Sequence, residues 1–232
     1  MKTLFKTSML LFALVIITSC TKGNRNVITE NRDISGFDKV HNLGSFDVTI
    51  VNAPVFNVAV EAEENLLPFI RTDVSDGVLH IGVKKGHIIK PHETIKVNVH
   101  MPVLKGIELS GSGNIICDTF DIEQMDIDIS GSGNISLGTH ATSVNSKISG
   151  SGEITITGSA TNANLSISGS GQLHALDMVC INCNADIAGS GSIYVNVTTK
   201  LDAHISGSGD IYYSGNPQVN THISGSGKVI HY

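Results

Sequence analysis

Four groups of residues in this chain have types and spacings that can do chemistry. Cys180-Ile-Asn-Cys183 has the spacing of a redox pair or of half a metal site. His204 and His222, with Asp186 upstream, offer two imidazoles and a carboxylate, a weak candidate ligand set for a transition metal. Gly-Ser-Gly occurs seven times, and glycine-rich turns elsewhere cradle phosphates. Asp126, Asp128, Asp186, Asp202 and Asp210 supply carboxylates of the kind that polysaccharide hydrolases use as acid and base.

What these groups can do depends on where the chain puts them, and a repeat decides that. The Gly-Ser-Gly phrases follow Ser110, Ser130, Ser149, Ser168, Ala188, Ser206 and Ser224, at steps of 20, 19, 19, 20, 18 and 18 residues. So regular a period marks one structural unit stacked on itself. The residue before each of these positions is Leu109, Ile129, Ile148, Ile167, Ile187, Ile205 or Ile223. Five after it comes Ile115, Ile135, Ile154, Leu173, Ile193, Ile211 or Val229. Two residues further out the columns stay mostly apolar or small: Ile127, Leu165, Ala185 and Ala203 on one side, Cys117, Leu137, Ile156, Ala175 and Val195 on the other.

The residues between these columns are polar, so each copy is two short strands sharing an inward face and meeting at Gly-Ser-Gly. Fourteen of the 24 glycines lie in these corners, where the bend calls for backbone angles that only glycine adopts freely. The pattern predicts an all-β fold, a right-handed parallel β-helix with 18–20-residue coils and Gly-Ser-Gly corners. A left-handed hexapeptide helix would need a small or apolar signal every six residues, and right-handed connection is the general rule for parallel strands. At ~3.3 Å per residue, one coil is about 60 Å around.

On that scaffold most of the chemistry recedes. Gly-Ser-Gly lacks the Gly-Lys-Ser/Thr of a phosphate loop, and the Asp position of calcium-binding β-rolls is aliphatic in all seven copies. Strand alternation sets Cys180 and Cys183 on opposite faces, which argues against a working pair, and Cys117 and Cys183, at inward columns, read as small core residues. The acids are spread over several coils and interrupted by Asn145, Asn164, Asn184 and Asn220, an arrangement that predicts amide ladders along the solenoid. His174, Tyr194 and Tyr212 share one outward column, a candidate binding strip with large contact area and polar tips. No cofactor is expected.

The N-terminus reads as an address. Lys2 and Lys6 precede an apolar run, Met9 to Ile17, that is shorter than the ~20 residues a membrane span needs. The run ends in Ile17-Thr-Ser-Cys20, which looks like a lipobox. The predicted organisation is a lipoprotein signal peptide over 1–19, lipidation at Cys20, a tether over 20–30, a strand-rich lead-in over 31–105 and seven coils over 106–232. The predicted mature chain has 13 Lys and Arg against 21 Asp and Glu, a net charge of −8. With no Arg in the repeats, nucleic acid is an unsuitable partner. In the lead-in, Asp76-Gly77 predicts a tight hairpin, and Pro68 limits the helix-like stretch from Glu61 to Ile70 to about one turn.

The lipobox, the strand-rich lead-in, the segment from Val97 to Gly113 and the later Gly-Ser-Gly coils together resemble the putative auto-transporter adhesin family with the head GIN domain, over residues 31 to 232. The resemblance implies a parallel β-helix in a Bacteroidetes-type envelope lipoprotein, and brings no catalytic motif. The expected role is a non-enzymatic protein, lipid-anchored in the envelope, on the periplasmic or outer side of the outer membrane. It is expected to bind a glycan or protein. The alternatives are a carbohydrate-active enzyme and a purely structural protein that self-associates through its exposed solenoid end.

Overall fold

The computed structural model describes residues 20–232; the signal peptide expected over 1–19 lies outside them. Five long strands, Asn114–Gly131, Asn134–Gly150, Glu153–Gly169, Gln172–Gly189 and Ser192–Gly207, each run from one Gly-Ser-Gly corner to the next. Neighbours pair parallel and in register, which builds a β-solenoid of about seven turns. Ile115, Ile135, Ile154, Leu173, Ile193 and Ile211 stack as partners, as do Leu109, Ile129, Ile148, Ile167, Ile187 and Ile205. All twelve are at most 3% exposed. The two remaining residues, Ile223 and Val229, follow the same register but lie in the last turn, where no further coil covers them, and Ile223 is 42% exposed.

Both glycines of a corner are needed, for different reasons. Gly150 has φ +135°, and a Cβ there would stand 2.3 Å from the carbonyl oxygen of Gly131 in the coil before. Gly152 would set a Cβ 2.6 Å from the Gly133 oxygen and 2.8 Å from Ile129 Cγ2. Close stacking of backbone on backbone therefore excludes side chains at both positions. The serine between them is exposed.

A second corner was hidden from the period-two reading. Between Ala160 and Ala163, and again between Cys180 and Cys183, two residues face outward in succession, and the inward residues flanking them are i and i+3. The expectation that Cys180 and Cys183 face opposite ways is therefore corrected. Both are buried, and Cys180 Sγ donates to the Asn196 carbonyl oxygen at 3.2 Å. They are free thiols in the core, as is Cys117, whose pKa burial and the neighbouring Asp118 push up to about 12. The variation in coil length is absorbed at bends, where register shifts fall between Cys117 and Thr119, Thr155 and Gly158, Ala175 and Val179, and Cys180 and Asn182.

The lead-in caps the other end. Lys39–Asn42 and Asp47–Asn52 continue the parallel stack against Gly106–Leu109 and the start of Asn114–Gly131. Pairing then turns antiparallel: Asn57–Glu63 lies between Val27–Arg32 and Lys96–Met101, and Ile70–Ser75 forms a hairpin with Val78–Val83. The hairpin turns at Asp76 and Gly77, both with positive φ, as expected. The helix-like stretch shrinks to a 3₁₀ turn, Leu67–Phe69, with Pro68 inside it.

The segment read as a tether is instead strand-paired to this cap. Cys20–Lys22 runs parallel to Ile88–Lys90, and Val27–Arg32 belongs to the antiparallel sheet. The buried carboxylate of Glu63 latches it, accepting hydrogen bonds from the backbone N–H of Arg25 (2.6 Å) and of His92 (2.8 Å), with His92 Nδ1 at 3.1 Å. Gly23 makes room, since a Cβ there would overlap the carboxylate. Burial opposes the charge on Glu63, but the hydrogen bonds from His92 and Arg25 override it and hold its pKa below the ordinary value. A carboxylate depressed in the folded state stabilises above its unfolded pKa and loses that contribution as pH falls. Hydrogen exchange of residues 20–26 is therefore expected to quicken as pH drops below about 4, after correction for the intrinsic rate. Glu63→Gln should show no such pH step.

Candidate binding face

Side chains on the outer surface inherit the register of the core. His174, Tyr194 and Tyr212 are direct partners in three successive coils. Their rings stack nearly parallel, with centroids 4.8 Å apart at 11° and 4.7 Å apart at 7°. Such a stack covers ring faces with ring faces and turns edges and hydroxyls outward, so the column is a ridge. Polar residues flank it: Gln172 Oε1 lies 3.2 Å from His174 Nε2, and the Tyr212 hydroxyl donates to Asp210 at 3.4 Å. Partial desolvation, then the charge of Asp210, raises the Tyr212 pKa, so this phenol stays protonated and able to donate near neutral pH.

The two histidines expected as weak metal candidates are brought together but not as ligands. His204 and His222 are partners, yet their rings meet edge to face at 6.2 Å, and His204 Nδ1 is turned to Asp186 at 3.3 Å. Among the described residues no group of three or more His, Cys, Asp or Glu is arranged to hold a metal ion.

The column continues beyond what the repeat alignment revealed. His80, His41, Glu108, Asp128, Lys147, Ser166, Asp186, His204 and His222 form one uninterrupted ladder. Extending the alignment upstream from Asp128 to Glu108 would have found its middle, but His41 and His80 precede the first copy and carry no repeat signal. Burial, opposed by Glu108, lowers the His41 pKa and keeps that ring neutral. Beside this ladder, Glu108, Asp126, Asp128 and Asp186 line a groove of about 390 Å³ with Lys39 and Lys147.

Most of the acids are held by neighbours. Asn145 donates to Asp126 (2.9 Å), Asn164 to Asn145 (2.9 Å) and Asn220 to Asp202 (2.8 Å), the expected amide ladder. Asn184 departs from it and donates within its own coil to Asp186 (2.8 Å). Further rungs lie elsewhere, from Asn134 to Asn114 and from Asn182 to Asn162. These carboxylates act as ladder acceptors. Asp128 differs: desolvation, then the like charge of Glu108 on the adjacent coil, raises its pKa.

Fold and surface together define a β-solenoid with a uniform core and laterally aligned outward columns. The chain belongs to the family described as putative auto-transporter adhesin, head GIN domain, whose profile matches residues 36–217. Among solved structures it is similar to a putative adhesin from Bacteroides fragilis, at 22% identity and TM-score 0.86, covering 91% of this chain and 99% of that one. It is also similar to a putative lipid binding protein from Parabacteroides distasonis (28% identity, TM-score 0.79, 92% and 100% covered). A putative adhesin from Parabacteroides merdae matches at 26% identity and TM-score 0.77, with 92% and 99% covered. No curated protein matches the chain. The family and two of these three neighbours carry adhesin names rather than enzyme names, and an adhesin-like family points to the cell envelope or surface.

Proposed function

We propose that this protein is a lipid-anchored, non-enzymatic adhesin of the bacterial outer membrane, held by acyl chains on Cys20 and binding a glycan or protein partner through the His174–Tyr194–Tyr212 ridge. The observation that carries the reading is the in-register stack of those three rings. A solenoid core needs no aromatics on its outer face, and aromatic side chains supply large, rigid contact area with a polar tip. Because the ring faces are taken up by each other, the outward edges and hydroxyls favour a protein surface over the flat stacking that a sugar ring makes. Membership of the adhesin family supports the role, and the lipobox-like Ile17-Thr-Ser-Cys20 supports the anchor.

The test uses the mature chain on an array of glycans and immobilised extracellular glycoproteins. Tyr194→Ala combined with Tyr212→Ala is expected to weaken binding at least about 30-fold, the effect of losing a hot spot of 2 kcal/mol or more. The circular dichroism spectrum should stay unchanged, because neither ring enters the core. Equal binding by the variant and the parent would sink the assignment. Anchoring is checked separately by metabolic palmitate labelling, which Cys20→Ser should abolish.

A further inference from the structure

The docked N-terminal strand determines which surface an acyl anchor would bring to the bilayer. Cys20 is exposed and pairs directly with Ile88, and Lys22 pairs with Lys90. Just before Ile88 lies the turn from Lys84 to His87, closed by a hydrogen bond from His87 N to Lys84 O at 3.1 Å. The His87 ring packs on Phe69 at 4.8 Å. Lys84, Lys85, His87 and Lys90 are exposed, and Ile88 is 49% exposed beside the anchor position.

The charge here runs against that of the whole. Segments 20–29 and 77–92 contain five Lys or Arg and no Asp or Glu. The rest of the mature chain has eight cations against 21 acids. The neighbouring cations Arg32 and Arg71 are paired, with Glu30 and Asp73, and the nearby Glu63 is held in the latch. Lys22, Lys84, Lys85 and Lys90 therefore outnumber the exposed acids beside them, Glu64, which accepts from Asn26, and Glu93, and form a basic corner with exposed Ile88 opposite Cys20 on an otherwise acidic protein.

We propose that this corner, Lys22, Lys84, Lys85, Ile88 and Lys90 around Cys20, is a docking surface for an anionic phospholipid headgroup layer. The inference rests on the anchored reading above and deepens it: the solenoid does not swing on a tether but stands on the membrane by its capped end. A basic patch adds electrostatic attraction to anionic lipid on top of an acyl anchor and orients the protein on the surface. Each lysine near an anionic surface contributes about 1 kcal/mol, screened within a Debye length. Ile88 adds the burial of an aliphatic side chain. Because the strand pairing and the Glu63 latch fix Cys20 relative to the lysines, the chains and the charges reach the surface together.

The test supplies the anchor chemically, so that it does not depend on acylation in the cell. Cys20 is the one exposed cysteine, the other three being buried. The mature chain is coupled through it to a maleimide-headgroup lipid in phosphatidylcholine vesicles, with or without phosphatidylglycerol. Lysines are then acetylated and each site is quantified by mass spectrometry. Lys84, Lys85 and Lys90 should be protected about five-fold on the anionic vesicles, and high salt should remove the protection. Lys147, Lys200 and Lys228, far along the solenoid, serve as references and should react alike on both. Equal reactivity of Lys84, Lys85 and Lys90 on the two vesicles overturns the inference even if palmitate labelling succeeds. No palmitate labelling of the parent protein in cells, with the protection on vesicles intact, overturns the anchor alone.

Discussion

Gly150→Ala is expected to lower the thermal midpoint of the mature chain by about 6–20 °C. Two costs add. At φ +135° an alanine sits in a region L-residues rarely adopt, worth about 1–3 kcal/mol. Its Cβ would also stand 2.3 Å from a carbonyl oxygen of the preceding coil, so the two coils must part. Parting them breaks the corner bond from Ser151 N to Gly131 O. A total of about 3–5 kcal/mol in a domain of this size corresponds to about 6–20 °C. Ser151→Ala, one residue on and exposed, should stay within about 0.5 kcal/mol of the parent. Differential scanning calorimetry separates the two, and similar midpoints for both variants would refute the stacked-corner account.

The second large effect distinguishes the middle of the solenoid from its end. Ile154 and Val229 occupy the same inward column, and Ile148 and Ile223 share the other. Ile154 is fully buried between Ile135 and Leu173, so Ile154→Ala leaves a cavity that flanking coils cannot close, at about 2–5 kcal/mol. Ile223 has a coil on one side only, and Ile223→Ala should cost less than about 1 kcal/mol. Chemical denaturation of the two variants reads this directly. Equal losses would mean that the last turn is covered by something, and that the open end described above is not open.

The contrast also shows what the amino-acid order made legible. The two aliphatic columns and the glycine corners could be read because they recur, and recurrence separates a structural residue from its neighbours. The corner at Cys180–Cys183 could not be read, because its i and i+3 residues are inward only where the chain turns, and no glycine marks that turn. The N-terminal segment looked like a tether because it is polar and turn-rich. Its order comes from a carboxylate 38 residues downstream of Arg25, a long-range partner that local pattern does not encode. The aromatic column was legible from alignment alone, since parallel in-register stacking carries any outward residue onto its counterpart one coil away. The stacking of its rings was not, because spacing fixes which residues meet and leaves the ring orientation to the side-chain rotamers.

What the scaffold is for depends on which side of the envelope it faces, since an adhesin must meet its partner outside. The most direct measurement is acetylation of intact cells with a membrane-impermeant amine reagent, followed by site-by-site mass spectrometry of this protein. The account predicts that Lys147, Lys200 and Lys228 are labelled on intact cells while Lys84, Lys85 and Lys90 stay protected. Labelling of the solenoid lysines only after the outer envelope has been permeabilised would contradict it.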